Sequence, residues 1–297
     1  MFTGLSAFLL TPVNETEIDD SAFSRMVSRL ADAGVDSIGA LGSTGSYAYL
    51  TREERKRVAQ LAVAATGTTP VMIGIGSLRT AHVRALAEDA QNAGAAAVLL
   101  APMSYQQLTA DEVFGLYEAV TRELSVPLCV YDNPGTTHFT FTDELHSRIA
   151  ELPNIGSIKI PGVPLDPAEA AGRVNSLRSH IPSTVTIGVS GDASAAIGLN
   201  AGCDVWYSVL AGVLPKPCLA LTRASQNDES KTAAALSNRL EPIWELFRTH
   251  GSLRVVSAIA EHLGLVESPN LPQPVRGLAE SARSRITDAL RQVDDLL

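Results

Sequence analysis

Lys159 lies between two isoleucines in the run GSIKIPG and is the residue whose setting most needs a chemical reason. Burying an amine disfavours its charged form and lowers its pKa. A neutral amine is the nucleophile that forms a Schiff base with a carbonyl. The plainer reading is a lysine at a strand end whose stem reaches out to water. Tyr131 ends a second apolar run, LCVYDNPGTT, and a phenol at a strand end can relay protons to a carbonyl or from a departing hydroxyl. A core tyrosine with a satisfied hydroxyl is the alternative. Asp132, Asn133, Pro134 and Gly135 follow it and form a turn, which sets Tyr131 at a rim. In Gly42-Ser43-Thr44-Gly45-Ser46, two glycines surround two hydroxyls, and the backbone N–H groups of such a loop can converge on a carboxylate. The loop also reads as an ordinary turn with a helix cap, and it lacks the Gly-Lys-Ser/Thr ending of a P-loop.

Other groups are weaker. Ile73-Gly74-Ile75-Gly76-Ser77 lacks the full glycine pattern of a nucleotide turn and reads as close helix–strand packing. His82, His138, His146, His180, His250 and His262 show no metal-ligand spacing, and Glu261-His262 has no partner histidine at helical spacing. His138 follows the turn after Tyr131 and is read as a surface histidine. Cys129, Cys203 and Cys218 are read as buried thiols of a reducing compartment, with nothing near them in sequence to activate one.

These residues need elements to hold them. Eight short apolar runs read as strands buried on both faces: Leu5–Leu10, Ser37–Leu41, Val71–Gly74, Ala97–Ala101, Leu128–Tyr131, Gly156–Ile160, Val185–Val189 and Asp204–Val209. Amphipathic segments fill the gaps. Thr51 with Glu54 and Thr109 with Glu112 are capping boxes that open two of them. One helix-to-strand joint recurs at Ala33, Ala93 and Ala201, where glycine supplies the left-handed residue after a helix. Eight βα units predict an α/β fold of the (β/α)₈ TIM-barrel type over 1–224. The barrel puts chemistry at the C-terminal ends of its strands. A doubly wound sheet is the alternative, but no Gly-rich turn follows the first strand. Residues 225–297 read as a C-terminal helical region that serves packing or oligomerisation, in preference to a functional role.

Composition narrows the function classes. The chain has 297 residues, 45% of them hydrophobic and 5% aromatic, and a formal net charge of −9. A spread acidic excess argues against nucleic acid or an anionic membrane as partner. The apolar opening MFTGLSAFLLTP lacks a basic lead-in and a small-residue cleavage site, so it reads as a first strand and not a signal peptide. No apolar run reaches the roughly 18–20 residues of a membrane span. The expected location is cytoplasmic.

Taken in order, GSTG after strand two, YDNPGT after strand five, IKIPG on strand six and SGD at Ser190–Asp192 resemble the dihydrodipicolinate synthase / N-acetylneuraminate lyase family over almost the whole chain. The resemblance implies a barrel with a helical extension, usually a homotetramer, acting on a small 2-oxo acid without metal or organic cofactor. It implies Lys159 as the Schiff-base residue, Tyr131 as the proton relay, and Ser43 with Thr44 as the hydroxyl pair that binds the oxo-acid carboxylate and joins the relay. Gly191 and Tyr207 match positions lining the pocket.

The departures bear on the substrate. Ser43 stands where the synthases carry threonine, as in the lyase branch, and Ser46 replaces a family glutamate. Thr136 stands where the synthases carry the arginine that grips the aldehyde's carboxylate, and no basic residue is near it. Ser104 occupies the place of a tyrosine that the synthases pass across a subunit interface, with Tyr105 one position off. Losing a bidentate carboxylate anchor is expected to weaken binding by several kcal/mol. The expectation is therefore an aldolase, lyase or dehydratase of a 2-keto-3-deoxy sugar acid or similar hydroxylated oxo acid, and not an efficient lysine-pathway synthase. The alternatives are a 4-hydroxy-tetrahydrodipicolinate synthase with an altered anchor, and a non-catalytic oxo-acid-binding protein on the same scaffold.

Overall fold

A computed structural model describes residues 1–296. The first half of the chain alternates β1 (Gly4–Phe8), α1 (Asp20–Ala33), β2 (Ser37–Ala40), α2 (Arg52–Ala65), β3 (Val71–Gly74), α3 (Thr80–Asn92), β4 (Ala97–Leu100) and α4 (Ala110–Thr121). The barrel continues through β5 (Leu128–Tyr131), the single turn α5 (Pro134–Thr137), α6 (Asp143–Ala150), β6 (Ile155–Ile160), α7 (Pro167–His180), β7 (Thr186–Val189), α8 (Ala195–Asn200), β8 (Val205–Ser208) and α9 (Pro215–Gln226). Four helices follow: α10 (Ser230–Arg239), α11 (Glu241–His250), α12 (Ser252–His262) and α13 (Glu280–Arg291). All eight expected strands form, each within a residue or two of its expected bounds, and they close in sequence order into a parallel barrel. Because α9 runs to Gln226, the seam drawn at 224/225 falls inside its last turn.

The local signals act as read. Thr51 and Thr109 each accept from the backbone N–H of the glutamate three residues on, and that glutamate returns to the cap backbone. Gly34, Gly94 and Gly202 all have positive φ, as the recurring joint requires.

Two apolar layers result from strand alternation. In β5, Leu128 and Val130 pack outward against helices, whereas Cys129 and Tyr131 point into the barrel. In β8, Trp206 points outward and Val205 and Tyr207 inward. The same alternation in β6 sends Ile158 and Ile160 to the outer layer, so Lys159 between them points inward. Its isoleucine neighbours in sequence are therefore not its neighbours in space.

Gly74 shows how tightly the top of the barrel is drawn. A Cβ there would sit 1.8 Å from the Leu41 carbonyl oxygen, on the loop that follows β2. Leu41 itself has φ 57, so this backbone is already constrained. Gly74, at the end of β3, thus serves close packing, though against a loop and not a helix. Arg55 of α2 reinforces the joint by donating to the carbonyls of Gly74 and Gly76 at 2.9 Å each. Gly74→Ala is expected to destabilise the protein by about 3 kcal/mol through overpacking, measured as a shift in the denaturation midpoint. A change within about 0.5 kcal/mol, the range of an ordinary surface substitution, would refute the clearance argument.

Candidate active site

Lys159 is 3% exposed and ends in a cage of rings. Its Nζ lies 3.8 Å from the ring centroid of Phe8, 4.2 Å from that of Tyr131 and 5.5 Å from that of Tyr207. Tyr131 is its register partner on β5 and Gly188 its partner on β7. Burial lowers the amine to about 8 from 10.5, and the nearby Cys129 and Asp192 oppose the drop. At that value roughly a tenth of the amine is neutral at pH 7, and the neutral form is what attack on a carbonyl requires.

The Tyr131 hydroxyl accepts from Asn133 Nδ2 at 2.8 Å, the side chain two residues along the turn. That bond occupies an oxygen lone pair and leaves the phenolic proton free for another acceptor. Burial pushes the phenol's pKa up, against hydrogen bonds from Asn133 and Ser43, so it holds its proton at neutral pH. Ser43 and Thr44 line the same cavity as Lys159 and Tyr131. Ser46 has φ 56, and its hydroxyl is buried without a partner among the described residues. The serine that replaces the family glutamate therefore brings no charge to this loop.

The remaining candidates divide by which atoms they present. Tyr207 lines the cavity with its ring, but its hydroxyl lies 2.7 Å from Ser157 Oγ and accepts from Cys129 Sγ at 3.4 Å. It offers a ligand a wall and not a hydrogen bond. Burial raises the Cys129 thiol to about 11, which leaves it inert. Gly191, with φ 92, brings bare backbone to the cavity, and a Cβ there would meet Gly162 at 3.2 Å. Thr136 lines the cavity from α5. Tyr105 is 91% exposed, and neither it nor the exposed His138 lines the cavity. The three cysteines are free and buried. Among the described residues there is no cluster of His, Cys, Asp and Glu suited to a metal ion, and no helix is long and apolar enough to cross a membrane.

Sequence reasoning missed several contributors. Phe8 has the nearest of the three ring centroids to the amine, yet in sequence it is one apolar residue in a first strand. Its ring occupies space vacated by Gly39 and Gly42, where a Cβ would lie 2.6 and 2.7 Å from it. Asp192 also lines the cavity, but its carboxylate accepts from Trp206 Nε1 at 2.8 Å and from the N–H groups of Val209 and Leu210. Trp244, Phe247 and Arg248 of α11 line the cavity as well. The C-terminal helical region therefore builds part of the site, beyond the packing role read for it. No periodicity in the sequence could show which strand ends α11 would face.

The model of the dihydrodipicolinate synthetase family matches residues 1–293. Two curated proteins named 4-hydroxy-tetrahydrodipicolinate synthase are similar to the chain. The one from Phenylobacterium zucineum is 30% identical over 98% of this chain and 97% of its own length. The one from Parvibaculum lavamentivorans is 29% identical over 98% of each. Among solved structures, a dihydrodipicolinate synthase from Agrobacterium tumefaciens superposes with a TM-score of 0.95, at 45% identity and 98% coverage of both chains.

The pKa of Lys159 sets an expected pH dependence. Below about 8 the amine is protonated, so capture of a 2-oxo acid, trapped with borohydride, should rise about tenfold per pH unit and level off above that value. A profile still rising steeply toward 10.5 would refute the effect of burial.

Proposed function

The chain belongs to the dihydrodipicolinate synthetase family, whose members are class I Schiff-base lyases, and from that premise we propose that Lys159 captures pyruvate or a related 2-oxo acid as an imine. The observation that carries the reading is the buried amine of Lys159 beside the Tyr131 ring, with the Ser43–Thr44 loop in the same cavity. The oxo-acid carboxylate docks on that loop through backbone N–H groups and the two hydroxyls. The Lys159 lone pair attacks the ketone carbon, and the carbinolamine loses water as Tyr131 protonates the departing hydroxyl. The resulting iminium draws electrons from the adjacent carbon, whose proton passes to the Tyr131 phenolate left by the dehydration, and the C–H electron pair becomes the enamine double bond. The enamine attacks an aldehyde carbon to form the new carbon–carbon bond, and a proton delivered through Tyr131 and Ser43 completes the hydroxyl. Hydrolysis of the imine restores Lys159. Cleavage is the same path reversed.

For the second substrate, the names of the curated relatives favour the synthase reading over the sugar-acid one. The better supported of the two is therefore a 4-hydroxy-tetrahydrodipicolinate synthase with an altered anchor at Thr136, acting on an acidic aldehyde. Aldol chemistry on a sugar acid stands second. The non-catalytic reading has least support, because family membership and the Lys159–Tyr131 pairing both favour turnover. Three buried free thiols support a reducing, cytoplasmic setting. A homotetramer is proposed from the family resemblance, with Tyr105 exposed on the loop after β4 as a contact between copies.

Borohydride reduction in the presence of pyruvate, followed by peptide mapping, is expected to place the adduct on Lys159 and none on a Lys159→Ala variant. Tyr131→Phe should still bind the oxo acid but lose about 10²–10⁴-fold in turnover, measured with aspartate semialdehyde as the second substrate. Folded protein that yields no adduct with pyruvate or several other 2-oxo acids would overturn the mechanism.

A further inference from the structure

The cavity of about 530 Å³ above Lys159 is lined by only three charged side chains among the described residues: Lys159, Asp192 and Arg248. The first is committed to the imine, and the second spends both carboxylate oxygens on Trp206, Val209 and Leu210. Arg248 is the remaining cation facing this space. It comes from the last turn of α11, on the helix face that also carries Trp244 and Phe247. That face is fixed: Trp244 is buried, its indole N–H donates to the Ser237 carbonyl at 3.0 Å, and its ring packs against Phe247 at 5.8 Å. The guanidinium is half exposed and pairs with Glu241, itself 57% exposed. An exposed ion pair of this kind contributes little, so a ligand carboxylate can displace Glu241 readily. A guanidinium also presents a planar fork that fits a carboxylate with two parallel hydrogen bonds.

We propose that Arg248 binds a second carboxylate, remote from the reacting carbonyl, on the substrate or product held at Lys159. This rests on the Schiff-base reading above and deepens it: one carboxylate docks at the Ser43–Thr44 loop, the other at α11. The substrate class is then a pair whose joined carbon skeleton is a 2-oxo dicarboxylate. Thr136 on α5, whose hydroxyl donates to the Asn133 carbonyl at 3.4 Å, contributes an uncharged wall. Glu241 acts as the resting partner that holds the fork at the rim until the ligand arrives.

The test uses non-condensing probes of matched length: 2-oxoglutarate, 2-oxoadipate and 2-oxopimelate against 2-oxopentanoate, 2-oxohexanoate and 2-oxoheptanoate. Each is scored by its half-saturating concentration for borohydride-trapped adduct on Lys159, with pyruvate trapped in parallel on the unaltered protein. Preference for at least one dicarboxylate over its matched monocarboxylate is expected. That ratio should fall about tenfold in Arg248→Gln, recover partly in Arg248→Lys, and rise a few-fold in Glu241→Gln. Each variant's own monocarboxylate value cancels any general loss of folding or imine formation. Trapping of pyruvate with no dicarboxylate preference, or with a preference that Arg248→Gln leaves intact, overturns the assignment of Arg248 while the Schiff-base reading stands. No trapping of any oxo acid removes both.

Discussion

Everything at the mouth of this barrel follows from keeping one primary amine out of water without neutralising it permanently. An ammonium buried with no carboxylate in contact is costly, and the protein answers by lowering the amine's pKa instead of supplying a partner. Strand alternation makes this possible. Because β6 turns Ile158 and Ile160 toward the helices, the strand remains a sound core element while Lys159 faces a cavity. The outer layer carries stability, and the inner layer is left to carry chemistry.

The inner layer is shaped as much by missing side chains as by those present. Gly39 and Gly42 clear the Phe8 ring, and Gly188 clears Tyr207, whose ring would lie 2.2 Å from a Cβ there. Gly74 lets the β2 loop cross β3 at backbone contact. Each omission gives up packing in its own strand and admits a large ring or a loop from a neighbour. The rings pack around the Lys159 side chain and leave it 3% exposed at the edge of the cavity. Below them, Tyr207, Ser157 and Cys129 satisfy one another's polar atoms, so the floor offers no competing hydrogen bonds.

The fold was legible because its signals are local. Apolar runs of strand length, two capping boxes and a recurring glycine joint each act within a few residues, and each appears where the sequence placed it. Lys159 and Tyr131 were legible for a related reason: a basic residue inside a core strand, or a phenol ending one, contradicts its surroundings. Phe8 contradicts nothing, so its contact with the amine was invisible. The α11 residues were invisible for a different reason, since their distance from Lys159 depends on how a helical tail folds back over the barrel. His146 belongs with them: fully buried and stacked on Phe141, it lies 3.6 Å from Asp132 across two elements. No spacing in the chain announces that pair.

The surroundings of Lys159 are better suited to the iminium than to the amine. Three ring faces attract a positive charge at this nitrogen. Asp192, fixed by three hydrogen-bond donors, attracts it as well. Cys129 and Asp192 offset part of the desolvation, and the amine falls to about 8. Further depression would give a more abundant nucleophile but a poorer site for the cation that follows it. Under the proposed mechanism that cation is the electron sink, and it forms where the favourable potential is already in place and needs no reorganisation. A pKa close to the working pH lets one environment serve both steps: it frees enough neutral amine to attack, and it holds the positive charge once the carbonyl is captured.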